Sequence, residues 1–251
     1  MLSVCVSDPG WHRSGTYDPQ AAISNEWPIR ISAIRRARSI TVSSDSCFRT
    51  LSKSLRQNHT EPGGRRPQTF PKQLSDNSAF TDDPLTYPGK DGHVAYREGI
   101  YVGYRHHDKR DIAPLFPFGF GLSFTSFEWG EPKASSAVMG TDGVSVALTV
   151  TNTGERAGSD LVQLYVRPLG TSVDRPDKEL RAFVKVRLDP GQSADVHLSV
   201  TPRDLSYFDV DAKAFIAPAG NYELLVAANT SEVHRAIPIS LTKDYVAPVA
   251  K

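Results

Sequence analysis

The sequence predicts a mainly β protein whose C-terminal part is a seven-stranded antiparallel β-sandwich. Two observations lead to this prediction. Apolar residues alternate with polar ones in several short segments after Gly143, a period of two that is typical of half-buried strands. Turn residues separate these segments at intervals of about ten residues, the spacing expected of an all-β sandwich.

The first predicted strand lies in GVSVALTVTNTG, where four apolar residues between Val144 and Val150 alternate with Ser, Ala and Thr. Asn152-Thr-Gly154 is a turn signal that ends it. The next segment, SDLVQLYVRP, resumes the alternation. Its predicted inward-facing residues are Val162, Leu164 and Val166.

The later strands follow the same rule. In LRAFVKVRLDPGQ, Lys185 and Arg187 occupy the polar face, and Asp189-Pro-Gly191 supplies the turn. ADVHLSVT and PAGNYELLVAAN follow, and EVHRAIPIS is predicted to be a last, edge strand. The residues predicted to face inward are Ala182, Val184, Val186, Leu188, Val196, Leu198, Val200, Tyr222, Leu224 and Val226.

The residues before the sandwich divide into two further predicted regions, so that the expected domains are 1–60, 61–127 and 128–245. Residues 1–60 show no sustained helical or strand pattern and are interpreted as disordered or non-homologous. Their basic run Arg35-Arg36-Ala37-Arg38 is interpreted as a solvated irregular face in preference to a nucleic-acid or targeting patch.

The middle region is rich in Pro, Gly, Asp and Asn, which favours an ordered irregular segment laid over the surface of another domain. Within it, the stretch from Tyr96 to Tyr104 is predicted to be a strand. Tyr96, Ile100 and Val102 are the candidates for its buried face.

Composition excludes few classes of function. The formal net charge of +1 gives no reason to expect nucleic acid or an anionic membrane as partner. No run approaches the roughly 18 apolar residues that span a bilayer. The start, MLSVCVSDPGWHRSG, lacks the basic region of a secretory signal, so the localisation stays unknown.

Two cysteines, Cys5 and Cys47, are too few for a disulfide framework, and unpaired thiols are the favoured interpretation. Asn58 and Asn229 each begin a glycosylation acceptor pattern, which matters only in an exported protein.

Glu98 and the run His106-His107-Asp108 are candidates for a catalytic site and a metal site. Glu98 could serve as a general acid, but pairing with Arg97 or Arg105, or accepting backbone hydrogen bonds, is the favoured role. The run His106-His107-Asp108 resembles a metal cluster. Because neighbouring residues on an extended strand point to opposite faces, a solvated hairpin end is favoured instead.

An aromatic segment and a charged connection complete the candidates. The aromatic residues could stack on sugar rings, but a packing joint between domains is favoured. Gly119 and Gly121 are expected to allow close backbone approach or positive φ. The charged connection from Asp174 to Glu179 could touch a neighbouring domain or subunit, but a plain exposed loop is the favoured interpretation. The aromatic residues are Phe116, Phe118, Phe120, Phe124, Phe127 and Trp129, and the charged residues are Asp174, Arg175, Lys178 and Glu179.

Long collinear motifs run from about Glu61 to the C terminus. They include GRRPQTFPKQLSDNSAF, YPGKDGHVAYREGIYVGYRHHD, LFPFGFGLSFTSFEW, VTNTGERAGSDLVQLYVRP, RPDKELRAFVKVRLDPGQ and LSYFDV. In this order and spacing they resemble the C-terminal part of glycoside hydrolase family 3, of the β-glucosidase type. The matching part is the end of the α/β sandwich domain followed by the fibronectin type III-like domain.

This resemblance implies a retaining hydrolase with a barrel, an α/β sandwich domain and the present β-sandwich. Two carboxyls about 5–5.5 Å apart carry retaining chemistry. The family's nucleophilic Asp lies in a Ser-Asp-Trp context and its acid/base Glu in a context similar to Ser-Glu-Gly-x-Asp-Arg. Neither motif occurs in this sequence. Asp8 lies in a superficial echo of the first and is not assigned a catalytic role.

The sequence also departs from the family pattern. Arg66 stands where an apolar residue is usual, Phe215 stands where a Trp is common, and residues 1–60 match nothing in the family. A truncated gene or gene model, with non-homologous sequence joined to an enzyme tail, is the simplest interpretation.

The expected function is that of the C-terminal fragment of a β-glucosidase, which removes terminal β-linked glucose and is inactive alone. The alternative is a non-catalytic sandwich that stabilises other domains or binds polysaccharide. The expected partners are a β-glucoside substrate for the parent protein, and either its catalytic domains or a second copy, with no nucleic acid and no membrane. No catalytic, cofactor-binding or metal-binding residue is assigned, and no cofactor is expected.

Overall fold

The computed structural model describes residues 63–80 and 83–248. These residues contain twelve strands, one α-helix and two short 3₁₀ turns. The strands are β1 Phe127–Trp129, β2 Lys133–Ala134, β3 Val138–Met139, β4 Val144–Asn152, β5 Gly158–Pro168, β6 Glu179–Leu188, β7 Ser193–Val200, β8 Tyr207–Asp209, β9 Ala214–Ala217, β10 Gly220–Asn229, β11 Glu232–Leu241 and β12 Tyr245–Pro248.

Two sheets form the sandwich. In the first, β4 pairs with β7 on one side and with the short strands β1 and β2 on the other. The second has the order β3-β11-β10-β5-β6. A mainly β fold is therefore confirmed, and its pairing is antiparallel except between β3 and β11, which are parallel.

The core lies between the two sheets. Alternate residues of β4, β7 and β10 are buried there, with Val150, Leu198 and Leu224 at 0–2% exposure. The predicted inward-facing residues of β6 from Ala182 to Leu188 are buried in or packed against this cluster. Because the two inner faces are apolar and the outer faces of β4 and β7 are polar, the alternation itself determines which way each strand faces.

The prediction that EVHRAIPIS forms the last strand is wrong. β11 is not the last strand, because β12 follows it and pairs with β9 in a separate three-stranded sheet that also contains β8. This small sheet lies outside the alternating segments that were recognised, since its strands have only three or four residues.

The strand predicted from Tyr96 to Tyr104 is also wrong. Residues 97–103 form turns and coil, and the helix α1 runs from Tyr104 to Arg110. The side chains expected on a buried face are exposed: Tyr96 by 84%, Ile100 by 50% and Val102 by 49%. Gly99 and Gly103 have φ of +57°, a conformation that interrupts a strand.

Helix α1 covers part of the outer face of the larger sheet. Tyr104 packs against a second buried cluster made by Tyr165, Leu225 and Ala227 on β5 and β10. As a result β5 is buried on both faces, with Gln163 and Tyr165 as inaccessible as the predicted core residues beside them. Alternation identified only the face that points to the core.

Several predicted features lie outside the described residues. They are Cys5, Cys47, Asp8, Asn58, Arg35-Arg36-Ala37-Arg38 and the interpretation of residues 1–60. Asn229 is described and is 3% exposed, and its side-chain oxygen accepts hydrogen bonds from the backbone N–H groups of Ser231 and Glu232. Among the described residues, no helix is long enough and apolar enough to cross a membrane.

Candidate functional site

Glu98 lies in the turn before α1, but neither of the predicted arginine partners binds it. Arg97 pairs with Asp83 at 2.8 Å, and Arg105 pairs with Glu179 at 3.2 Å. One carboxylate oxygen of Glu98 is buried without a hydrogen-bond partner among the described residues. The predicted ion pairs of Glu98 are therefore wrong.

His106, His107 and Asp108 lie in α1 and not at a hairpin end, which corrects the predicted local structure. His107 is buried, and its Nδ1 lies 2.9 Å from the carbonyl oxygen of Ile112. Asp108 pairs with Lys178 at 2.8 Å. Among the described residues no group of three or more His, Cys, Asp or Glu side chains is arranged to hold a metal ion.

The charged connection before β6 is exposed, as predicted, at Asp174, but Arg175, Lys178 and Glu179 are buried, and Arg175 and Glu179 belong to an ion-pair network. Glu179 accepts hydrogen bonds from Arg105, Arg175 and Arg181 at 2.8–3.2 Å. Arg175 also donates to the carbonyl oxygen of Leu205. Three guanidinium groups share one carboxylate because α1, the connection and β6 meet at this point. We call this set the Glu179 network.

Burial affects the carboxylate that lies beside this network. Desolvation raises the pKa of Asp108, and the neighbouring ammonium group of Lys178 opposes that rise. Lys178 is itself only 6% exposed. Each charge therefore depends on the other for compensation, and together they attach α1 to the start of β6.

The aromatic segment after α1 makes mostly intramolecular contacts. Phe116 packs against Phe70 and Phe120, and Phe118 packs against Tyr104 at 5.4 Å between ring centroids. Phe124 is 58% exposed. These ring contacts join α1, residues 66–70 and the aromatic segment into one layer, which is the geometry expected of a packing joint.

Both glycines of this segment are needed for close approach, as predicted. Gly119 has φ of +85°, and a Cβ there would lie 2.2 Å from Nε2 of Gln163. At Gly121 a Cβ would lie 2.6 Å from both Cδ of Arg65 and the carbonyl oxygen of Gly64. The absence of a side chain lets the segment approach β5 at Gly119 and residues 64–65 at Gly121.

An open groove of about 740 Å³ lies between β1, an edge strand of the first sheet, and β11 of the second. We call it the edge groove. Trp129 on β1 and His234 on β11 meet across it with ring centroids 5.5 Å apart. Beside it, Arg235 and Glu131 pair at 3.2 Å. Trp129 was a candidate from the sequence, but no sequence signal connects it with His234, which lies about a hundred residues further along the chain.

The floor of the edge groove consists of interlocked side chains. The indole Nε1 of Trp129 donates a hydrogen bond to Asp160 at 2.7 Å. Arg65 donates to the other oxygen of Asp160 and to the carbonyl oxygen of Gly121. Both carboxylate oxygens of Asp160 therefore already accept hydrogen bonds. Glu128 and Glu232, at the rim of the groove, are exposed to solvent. The buried carboxylate of Asp160 is held by Arg65 and Trp129, and Glu128 and Glu232 are exposed, so none of the three has the environment of a general acid.

Comparison with known proteins agrees with this architecture. The family model of the fibronectin type III-like domain matches residues 160–230. A β-glucosidase of Rhizobium radiobacter is 59% identical over 186 residues, which are 74% of this chain and 23% of that protein. The thermostable β-glucosidase B of Acetivibrio thermocellus is 37% identical over 173 residues, or 68% of this chain.

Solved structures give the same result. β-Glucosidase 3B from Thermotoga neapolitana matches with a TM-score of 0.67 and 34% identity over 75% of this chain and 26% of that chain. A family 3 β-glucosidase from Bifidobacterium adolescentis matches with a TM-score of 0.66 and 34% identity, over 72% of this chain and 26% of that chain. The chain belongs to glycoside hydrolase family 3 and corresponds to the C-terminal region of its β-glucosidases. It spans about a quarter of the length of the relatives it matches.

Arg66 and Phe215, the two positions expected to depart from the family pattern, each take part in a cation–π contact. The guanidinium of Arg66 lies over the rings of Phe70 and Phe116, 4.5 and 4.7 Å from their centroids. Phe215 on β9 packs against Arg203 at 3.7 Å and against Phe208.

Proposed function

We propose that this chain is the C-terminal region of an enzyme that hydrolyses terminal β-linked glucose from glucosides, and that it is inactive alone. The observation that carries the proposal is the 59% identity over 186 residues to a β-glucosidase. The substrate class follows from the names of that relative and of the solved structures.

The chemistry of a retaining hydrolase supports the second half of the proposal. It requires one carboxylate to attack the anomeric carbon and a second carboxyl to protonate the leaving oxygen. The two sequence contexts expected for these groups are absent from the 251 residues. Glu98 is the carboxylate most open to a catalytic interpretation. It lies in an irregular turn, and one of its oxygens is buried with no hydrogen-bond partner in the described part of the chain.

The surface of the segment 63–126 supports a structural role beside preceding domains of such an enzyme. Its turns before α1 expose Val94, Tyr96, Ile100 and Val102, each by about half or more of its surface. Apolar groups collected on one segment favour burial against another apolar surface. The segment then has two functions: it packs on the sandwich through α1 and on the preceding domains through these side chains.

Purified chain incubated with 4-nitrophenyl β-D-glucoside tests the proposed inactivity. We expect no release of 4-nitrophenol above the buffer rate, for the chain and for its Glu98→Gln variant alike. Turnover by the chain that Glu98→Gln abolishes would contradict the proposal, because it would place a catalytic carboxyl in this region.

Binding of a fluorescent apolar dye tests the proposed packing surface. We expect Tyr96→Ser and Ile100→Ser to lower dye binding of the chain, because exposed apolar groups are removed, with little change in unfolding midpoint. Val246→Ser on β12, which is 57% exposed in the chain, is the matched control. Equal loss of dye binding in the control would argue against a special surface on residues 94–102.

A further inference from the structure

The edge groove has no role in the proposed hydrolase chemistry, yet its side chains are held in fixed positions. Trp129 is anchored twice, through the hydrogen bond to Asp160 and through packing of its ring on the sandwich core. Asp160 is anchored by Arg65, and both side chains are largely buried, at 7% and 17% exposure. Charge-assisted bonds of this kind fix geometry before any ligand arrives.

The charges around the groove limit what it can bind. Its lining contains one arginine, Arg65, against three carboxylates, Asp160, Glu128 and Glu232. Because Arg65 is already paired with Asp160, the remaining charge at the rim is negative. Phosphate, nucleic acid and acidic polysaccharides are therefore repelled.

The two arginines near the groove do not decide what it binds. Arg65 at the floor is paired with Asp160. Arg235 lies beside the groove on β11, in an exposed pair with Glu131. The distinguishing feature of the groove is its aromatic corner, in which the rings of Trp129 and His234 lie at 66° to each other. The exposed carboxylate of Glu232 lines the same groove and can accept hydrogen bonds.

We propose that the edge groove binds a neutral oligosaccharide. The apolar face of a sugar ring packs against the corner formed by Trp129 and His234, and its hydroxyl groups donate to Glu232. The volume of about 740 Å³ lies within the range of small-ligand sites, and the open ends between two strand edges suit a linear chain. This site is independent of the proposed hydrolase activity.

Affinity electrophoresis and calorimetry of the purified chain with cellotetraose and laminaritetraose test the proposal. We expect retardation and binding that His234→Ala and Glu232→Gln each weaken about three- to tenfold, as expected for one aromatic or hydrogen-bonding contact. Both side chains are exposed, so the variants should fold, and circular dichroism checks this. His197→Ala, at an exposed histidine of β7, is the matched control and should bind as the parent chain does.

Three results would overturn the inference. One is the absence of binding to either oligosaccharide. Another is binding that His234→Ala and His197→Ala reduce equally, since the contact would then not involve the groove. The last is capture of a polylysine peptide that Glu232→Gln and Glu128→Gln weaken while neither sugar binds, which would assign the groove to a basic partner.

Discussion

The two regions of the molecule differ in where their apolar side chains lie. They are the sandwich, residues 127–248, and the segment before it, residues 63–80 and 83–126. The sandwich encloses one continuous core between two hydrogen-bonded sheets. The segment has one helix, isolated β-bridges and few buried apolar residues of its own. Of the seventeen exposed large apolar residues described, ten lie in the segment, although it is only about half as long as the sandwich.

This difference indicates that the sandwich is stabilised mainly by its own core, whereas the segment depends on surfaces outside itself. One such surface is known: α1 and the aromatic layer pack on Tyr165 and the ion pairs beside β6. The exposed apolar residues before α1 indicate a second one. Changes in the segment should therefore destabilise the chain less than changes in the core of the sandwich do.

The largest expected effect comes from the sandwich core. Leu224→Ala on β10 removes a side chain with 0% exposure and should destabilise the chain by about 2–5 kcal/mol, since a cavity remains. Denaturant unfolding followed by circular dichroism measures this. Val246→Ala, at a residue 57% exposed, should stay within about 0.5 kcal/mol. Equal effects at the two positions would contradict the assignment of the core.

The next effect concerns the joint between the two regions. Lys178→Met leaves Asp108 unpaired and should cost about 2–3 kcal/mol, below the full cost of a buried pair because Asp108 keeps 20% of its side chain exposed. Adding Asp108→Asn should recover most of the loss, since neither charge is then buried. A double-mutant cycle of unfolding free energies measures the coupling, and strict additivity would indicate that the pair is not coupled.

The same variant should respond to pH in a defined direction. Burial raises the pKa of Asp108 above its ordinary value of 3.8, and loss of Lys178 removes the group that opposes this rise. An acid with a raised pKa binds its proton more tightly in the folded state, so the folded state gains stability as pH falls. The deficit of Lys178→Met should therefore shrink between pH 7 and pH 4. A deficit that grows on acidification would contradict the buried position of Asp108.

A smaller effect is expected where α1 meets the backbone of β6. The N–H of Leu180 donates to the hydroxyl of Tyr104 at 3.2 Å, so Tyr104→Phe should cost about 1 kcal/mol. Because this bond attaches the segment, limited proteolysis should cut residues 94–103 faster while the sandwich remains resistant. Faster cleavage throughout the sandwich would show that the two regions unfold together.

The smallest effect belongs to the exposed contact between Lys109 and Asp174 at 2.6 Å. Hydrogen bonds from Lys109 and Tyr101 lower the pKa of Asp174 from its ordinary value of 3.8. An acid with a lowered pKa contributes stability above 3.8 and loses it as pH falls further. Asp174→Asn should lower the unfolding midpoint slightly at pH 7 and low salt, and not at 1 M salt, where screening removes the interaction. A loss that persists at high salt would contradict this origin.

How much the sequence could predict differs between the two regions for a physical reason. A strand with one face on the core must alternate, so β4, β7 and β10 were readable from their residues alone. The residues from Tyr96 to Val102 also alternate weakly. However, Gly99 and Gly103 adopt positive φ, and the apolar side chains of this stretch are exposed and not buried in a core of the described chain. The same pattern therefore gave a correct strand where a second sheet faces it and a wrong one where none does.

The sequence by itself determined the β-sandwich, its inward-facing residues and the likeness to the C-terminal part of β-glucosidases, because strand periodicity and collinear motifs are local properties. Tertiary structure alone decided the Glu179 network, the pairing of Asp108 with Lys178 and the edge groove. Each joins residues that lie tens of residues apart or more along the chain. A charged residue looks the same in the sequence whether solvent or an opposite charge faces it, and only packing establishes which of the two is present.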